Sequence, residues 1–220
     1  GDWVLDGEKA SISCANQADA ILVAARTGEP DSGARGVTAF WVDMNMPGVS
    51  NTAYDDLGSL AVGRGSVWFD GVRVPDSRRV GDEGMGFVRV MQGFDYSRAL
   101  IALMCLGSAR ASIDETWAYT VERQAFDRPL AEFQGVSFPL AEADAQVRAA
   151  RLLAYECLAL RDAGKPHTKE AAMVKWMGPK VSVDAIHQCL LTHGHLGYSR
   201  DLPHQQRLRD VMGLEIGDGT

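Results

Sequence analysis

The hydrophobic pattern of this chain changes period once, between residues 75 and 86, and that change restricts the folds open to it more than any other feature. Ahead of it, short apolar runs rich in β-branched residues are bounded by Gly, Asp, Asn and Pro. They are Trp3-Val4-Leu5, Ala20-Ile21-Leu22-Val23-Ala24-Ala25 and Gly36-Val37-Thr38-Ala39-Phe40-Trp41-Val42. Runs of this length with no helical period between them predict antiparallel strands. Ser66-Val67-Trp68-Phe69 and Val72-Arg73-Val74 flank Asp70-Gly71, a pair that predicts a hairpin turn. Beyond the change, Leu140, Ala143, Val147, Ala150, Ala154 and Cys157 recur at alternating spacings of three and four, one buried stripe on a long helix. Residues 95–123 read as a second long helix, apolar round most of its circumference over 99–106 and so expected to be enclosed by neighbours. Residues 169–191 give a third and 206–212 a short fourth, with Asp162-Ala163-Gly164-Lys165-Pro166 as a helix stop. The expected fold is α+β and multi-domain: an antiparallel sheet or small barrel over 1–80, then an antiparallel four-helix bundle over 81–220.

Composition narrows the function. A net charge of −7 with scattered cations argues against nucleic acid as a partner. No apolar run approaches the ~18 residues that a membrane span needs, and Gly1-Asp2-Trp3-Val4 has no signal-peptide character. Cys14, Cys105, Cys157 and Cys189 lie far apart, which reads as reduced thiols in a cytoplasmic protein.

Several motifs have bland readings. Gly81, Gly84 and Gly86 stand where a phosphate loop might, but not in dinucleotide order, and a flexible linker is the better reading. His187, His193 and His195 have no zinc spacing, so no metal is expected and they read as loop or interface histidines. No Gly-x-Ser-x-Gly elbow occurs, which sets hydrolases aside. Three segments remain. Arg123-x-x-Phe126-Asp127-Arg128-Pro129-Leu130-x-x-Phe133-Gln134 joins two helices, His193-Gly194-His195-Leu196-Gly197-Tyr198 follows the third, and Ile216-Gly217-Asp218-Gly219-Thr220 closes the chain. Taken singly, these are a helix-end cation, ordinary glycine caps and a turn aspartate.

Together and in this order they resemble the acyl-CoA dehydrogenase family. Trp3-Val4-Leu5-Asp6-Gly7-Glu8-Lys9, Gly63-Arg64-Gly65-Ser66, Val72-Arg73-Val74-Pro75 and Gly84-Met85-Gly86-Phe87 resemble its middle β domain and the exit from it. Members of the family are longer, with a further helical domain ahead of the β domain that is absent from this chain.

The resemblance implies FAD as cofactor. Arg123, Phe126 and Gln134 would approach the FAD of a neighbouring subunit, so a homodimer or homotetramer is implied; a guanidinium suits a pyrophosphate. Leu191, Gly194 and His195 fall in a flavin segment where the family has Gln, Gly and Gly. Ser11, Ile12 and Ser13 stand where a Trp-Ile-Thr lies against the flavin ring, and Thr220 would hydrogen-bond the flavin. Asp95, Tyr96, Ser97 and Arg98 would line the CoA arm, Asp95 and Arg98 reading equally as a helix-start salt bridge. The implied reaction is α,β-desaturation of an acyl-CoA thioester, with electrons passed to an electron-transfer flavoprotein. Asp218, followed by Gly219 at the substrate, holds the place of the usual catalytic Glu. Ser97 holds the alternative place of that Glu, so Asp218 is the expected base. An Asp reaches less far than a Glu by about 1.5 Å, and misplacement of about 1 Å can cost on the order of 100-fold. That and the Glu-Ile-Gly-Asp-Gly-Thr wording point toward alicyclic thioesters such as cyclohexanecarboxyl-CoA. An acyl-CoA oxidase and a non-catalytic binder of CoA esters are the competing readings.

Overall fold

The computed structural model describes residues 1–219 and divides into two compact units, Gly1–Gly93 and Phe94–Thr220. The first unit holds β1 (Asp2–Ser13), β2 (Ala20–Arg26), β3 (Val37–Asp43), β4 (Val49–Ala53) and β5 (Arg64–Pro75). All pairings among them are antiparallel, in a three-stranded sheet ordered β1-β5-β4 and a two-stranded sheet β2-β3. Alternation along the strands sends Leu5, Val23, Phe40, Val42, Val67, Phe69, Val72 and Val74 into one shared core. Leu22 and Trp41, directly paired, stand on the outer face.

Asp70-Gly71 forms no hairpin. β5 runs straight through it, and the register steps from Leu5↔Val72 to Gly7↔Phe69, so two residues of β5 oppose one of β1. Gly71 takes φ +60 and its N–H donates to Asp6 Oδ1 at 2.7 Å. This is a β-bulge, for which a glycine at positive φ serves as well as it does for a turn. Gly84 and Gly86 are not a loose linker either. A Cβ on Gly84 would lie 2.3 Å from the Arg35 carbonyl oxygen, and one on Gly86 would lie 2.7 Å from the Ala39 nitrogen. These glycines let the chain close onto β3, and the Gly84 N–H donates to Thr38 Oγ1 at 2.9 Å.

The second unit is the bundle: α1 (Gly86–Glu122, its first turns belonging to the first unit), α2 (Gln134–Asp162), α3 (Thr168–Thr192) and α4 (His204–Met212). Its core joins Cys105, Leu106, Ala109 and Ile113 of α1 to Leu140, Val147 and Ala150 of α2, Ala185, Ile186 and Cys189 of α3, and Val211 of α4. The predicted α2 stripe is therefore the buried one, with Ala143 at its margin. A second cluster of small residues, Ala99, Ala102, Ala154, Cys157, Ala171 and Val174, lets the helices draw close. At Gly178 a Cβ would sit 2.6 Å from that of Ala102, so α1 and α3 touch there almost backbone to backbone. Contrary to expectation, α1 is not enclosed all round, because Met104 is 64 % exposed. The four cysteines are free, and burial pushes the Cys105 thiol up to about 12 and that of Cys189 up to about 11. No helix among the described residues is long and apolar enough to cross a membrane, and none of their side chains group into a metal site.

Candidate active site

Asp218 lies in the turn that follows α4, half-buried and at φ +56, a conformation that an L-residue holds only when its surroundings impose it. Ser97 Oγ, from α1, donates to Asp218 Oδ2. The next residue, Arg98, donates from Nε and Nη2 to the Asp218 carbonyl oxygen, each at 3.3 Å. Lys175 comes from α3 and is only 6 % exposed. Its Nζ donates to the carbonyl oxygens of Gly219 at 2.7 Å and Glu215 at 3.3 Å. Burial holds the Lys175 ammonium below the usual lysine range, against the opposing pull of the nearby Asp218 charge. Arg98, Ala172, Lys175, Trp176, Lys180 and Asp218, with Glu215 and Gly219, line a cavity of about 240 Å³. A larger groove of about 640 Å³ between α1 and α2, floored by Leu103, Gly107 and Leu152, contains none of the expected site residues.

Of the expected CoA-arm residues, Ser97 and Arg98 therefore meet Asp218 and Gly219. Asp95 and Arg98 form no helix-start salt bridge. Residue 95 lies well inside α1, where its Oδ2 accepts from Thr168 Oγ1 at 2.6 Å, while Arg98 serves the Asp218 carbonyl. Tyr96 carries the Arg161 guanidinium 4.0 Å above its ring. Lys175 and Trp176 were not anticipated. Inside an unbroken helix no motif marks them, and only the pairing of a cation with a helix face otherwise buried could have flagged Lys175.

Arg123, Phe126 and Gln134 occur elsewhere. The segment after α1 is a miniature hairpin, β6 (Gln124–Ala125) and β7 (Arg128–Pro129), rather than a plain connection. Phe126 and Asp127 fill its two-residue turn at φ +53 and +62, a type I′ geometry that usually takes Asn-Gly. The hairpin thus holds a strained phenylalanine 90 % exposed. Arg123 and Gln134 beside it are exposed, and the Arg123 side chain has no ion pair or hydrogen bond among the described residues. Tyr119, one turn before Arg123, stacks on His193 with ring centroids 4.3 Å apart. This brings the end of α1 to the end of α3, where Leu191, Gly194 (φ +61) and His195 are exposed. His193 lies in the turn just beyond α3, as expected, but is buried, packed also on His204 at 4.5 Å. Residue 119 is about 33 Å along α1 from Ser97 at 1.5 Å per residue. One chain therefore does not bring these residues to Asp218.

Ser11, Ile12 and Ser13 end β1 in the sheet unit. Between Lys9↔Val67 and Ile12↔Gly65 the strand carries a second bulge, with Ser11 at φ +58. Bulges re-aim the side chains that follow them, here Ile12 and Ser13. Opposite it, buried Ser66 donates to Glu8 Oε1 at 2.7 Å and accepts from the Tyr54 hydroxyl at 2.7 Å. Thr220 lies outside the described residues.

A two-sheet β unit leading into an antiparallel bundle, with a pinned carboxylate beyond the last helix, defines a class, and comparison with known proteins agrees. Residues 84–220 match the acyl-CoA dehydrogenase C-terminal domain, and residues 1–72 its middle domain. The chain belongs to the acyl-CoA dehydrogenase family, whose members are FAD flavoproteins. It is 33 % identical to a probable acyl-CoA dehydrogenase of Bacillus subtilis, over all of this chain and 58 % of that protein. It is 36 % identical to the mitochondrial short-chain specific acyl-CoA dehydrogenase of Bos taurus, over 99 % of this chain and 53 % of that one. The solved butyryl-CoA dehydrogenase of Megasphaera elsdenii superposes with a TM-score of 0.95 at 32 % identity, covering the whole of this chain and 57 % of that one. The chain thus spans a little over half the length of these relatives.

Proposed function

We propose that this chain belongs to an FAD-dependent acyl-CoA dehydrogenase in which Asp218 removes the α proton of the thioester. The supporting observation is the carboxylate itself. Its Oδ2 is occupied by Ser97, and its Oδ1, with no hydrogen bond among the described residues, is left to take the proton at the edge of the 240 Å³ cavity. FAD, when bound, supplies the acceptor for the hydride that leaves Cβ. The donor set fits that cofactor. Arg123 offers an unpaired guanidinium suited to a pyrophosphate, Gln134 a carboxamide, Phe126 a flat apolar surface, and the turn at Gly194 exposed backbone. Ser11, Ile12 and Ser13 would cover a flavin from the sheet unit. Because the Arg123 cluster stands far along α1 from Asp218, it serves the FAD of a second subunit, and the protein is at least a homodimer. An electron-transfer flavoprotein is the proposed electron acceptor.

Relatives named for short-chain and butyryl-CoA substrates support a small acyl-CoA thioester as the coarse substrate class. An alicyclic thioester such as cyclohexanecarboxyl-CoA is the finer reading. A short base drawn back onto Ser97 requires a substrate that carries its α carbon deeper into the cavity, and Trp176 offers a broad face at that cavity. The test is anaerobic bleaching of the flavin by a panel of straight and cyclic acyl-CoAs. Bleaching fastest with a cyclic thioester, and lowered by a factor on the order of 10² to 10⁴ in Asp218→Asn, is the expected result. Unchanged bleaching in Asp218→Asn would remove the base assignment, and a strong preference for butyryl-CoA would remove the alicyclic one.

A further inference from the structure

We infer that Lys175 and Ser97 are positioning residues for Asp218: one pins the turn that carries it and the other selects which carboxylate oxygen faces the substrate. The inference rests on Asp218 as the base. An aspartate at positive φ in a glycine-rich turn has no rigid backbone of its own. The donors around it come instead from two helices that nearly touch at Ala102 and Gly178, close in sequence to Ser97 and Lys175. The Lys175 ammonium reaches carbonyls on both sides of Asp218, at Glu215 and at Gly219, and closes the turn as a staple would. Such a group is buried at a cost and holds that place only by satisfying partners, which here are backbone carbonyls along the turn. Its charge also faces Asp218, with Arg98 a second cation and Glu215 a second carboxylate nearby. Ser97 can give its hydroxyl hydrogen to only one oxygen and gives it to Oδ2. The proton-accepting lone pair is thereby directed to Oδ1, and the side chain is held against rotation.

The experiment compares Ser97→Ala, Ser97→Thr, Lys175→Met, Lys175→Arg and Asp218→Asn in the FAD-loaded protein, using the acyl-CoA that it turns over fastest. Steady-state kinetics are read beside amide hydrogen exchange over residues 213–219. Ser97→Ala should lower kcat about 10-fold, the weight of one hydrogen bond, with KM within twofold, and Ser97→Thr should restore it. Lys175→Met should lower kcat by about 100-fold and speed exchange over 213–219 while leaving α2 unchanged, and Lys175→Arg should recover part of both. Normal kcat in Ser97→Ala and Lys175→Met, with Asp218→Asn inactive, would overturn the positioning roles and leave the base in place. Full turnover by Asp218→Asn would overturn both. Should Lys175→Met not fold, the Ala and Thr variants at Ser97 decide the question.

Discussion

His204 is 1 % exposed, and its Nδ1 has no hydrogen-bond partner among the described residues. Burial, and the neighbouring His193, hold its imidazole down at about 4, with Glu115 pulling the other way. The native state therefore keeps His204 neutral where the unfolded chain, at about 6.5, takes up a proton. Stability should be unaffected above pH 6.5 and fall as the pH drops from there toward 4, by on the order of 3 kcal/mol. In His204→Leu that part of the slope should vanish, which chemical denaturation at a series of pH values would measure. Asp218 could be singled out in the sequence only through the order of the motifs around it, since an aspartate between two glycines reads by itself as a turn residue. Lys175 and the Ser97 contact were not, since nothing in a helical run shows that a lysine points inward or which turn a serine meets.

Elements with a single period were the ones that the sequence made plain. The α2 stripe and the runs that form β2 and β3 follow from spacing and apolar content, whereas the pairing of those strands does not. Asp70-Gly71 misled because a bulge and a turn ask the same backbone of the same residues, and only pairing to β1 separates them. The β6–β7 hairpin escaped notice for the opposite reason, since Phe-Asp is a poor occupant of a type I′ turn. That mismatch carries a prediction. Phe126→Asn should raise stability by about 1 kcal/mol, because asparagine tolerates positive φ, yet weaken FAD retention, with thermal melts and flavin release on dilution as the two readouts. Packing gives another. Gly178→Val would force α1 from α3 against Ala102 and should cost about 3 kcal/mol in denaturant unfolding.

At the level of the whole molecule, the proposed base docks on α1 at Ser97, while the proposed FAD contacts Arg123, Phe126 and Gln134 lie just beyond the other end of that helix. Each complete centre would then draw its acid–base chemistry from one chain and its outer cofactor grip from another. Dilution that dissociates the assembly should abolish turnover without unfolding the chains, which activity followed beside sedimentation would show.

The length of α1 also makes damage separable. Asp218→Asn and Arg123→Ala preparations should each be inactive alone. Unfolded together and renatured as a mixture, they should regain activity, because in every hybrid pair one centre receives both faults and the other receives none. On the proposed shared site, a single helix of 37 residues would set up complementation between two defective copies of one gene product.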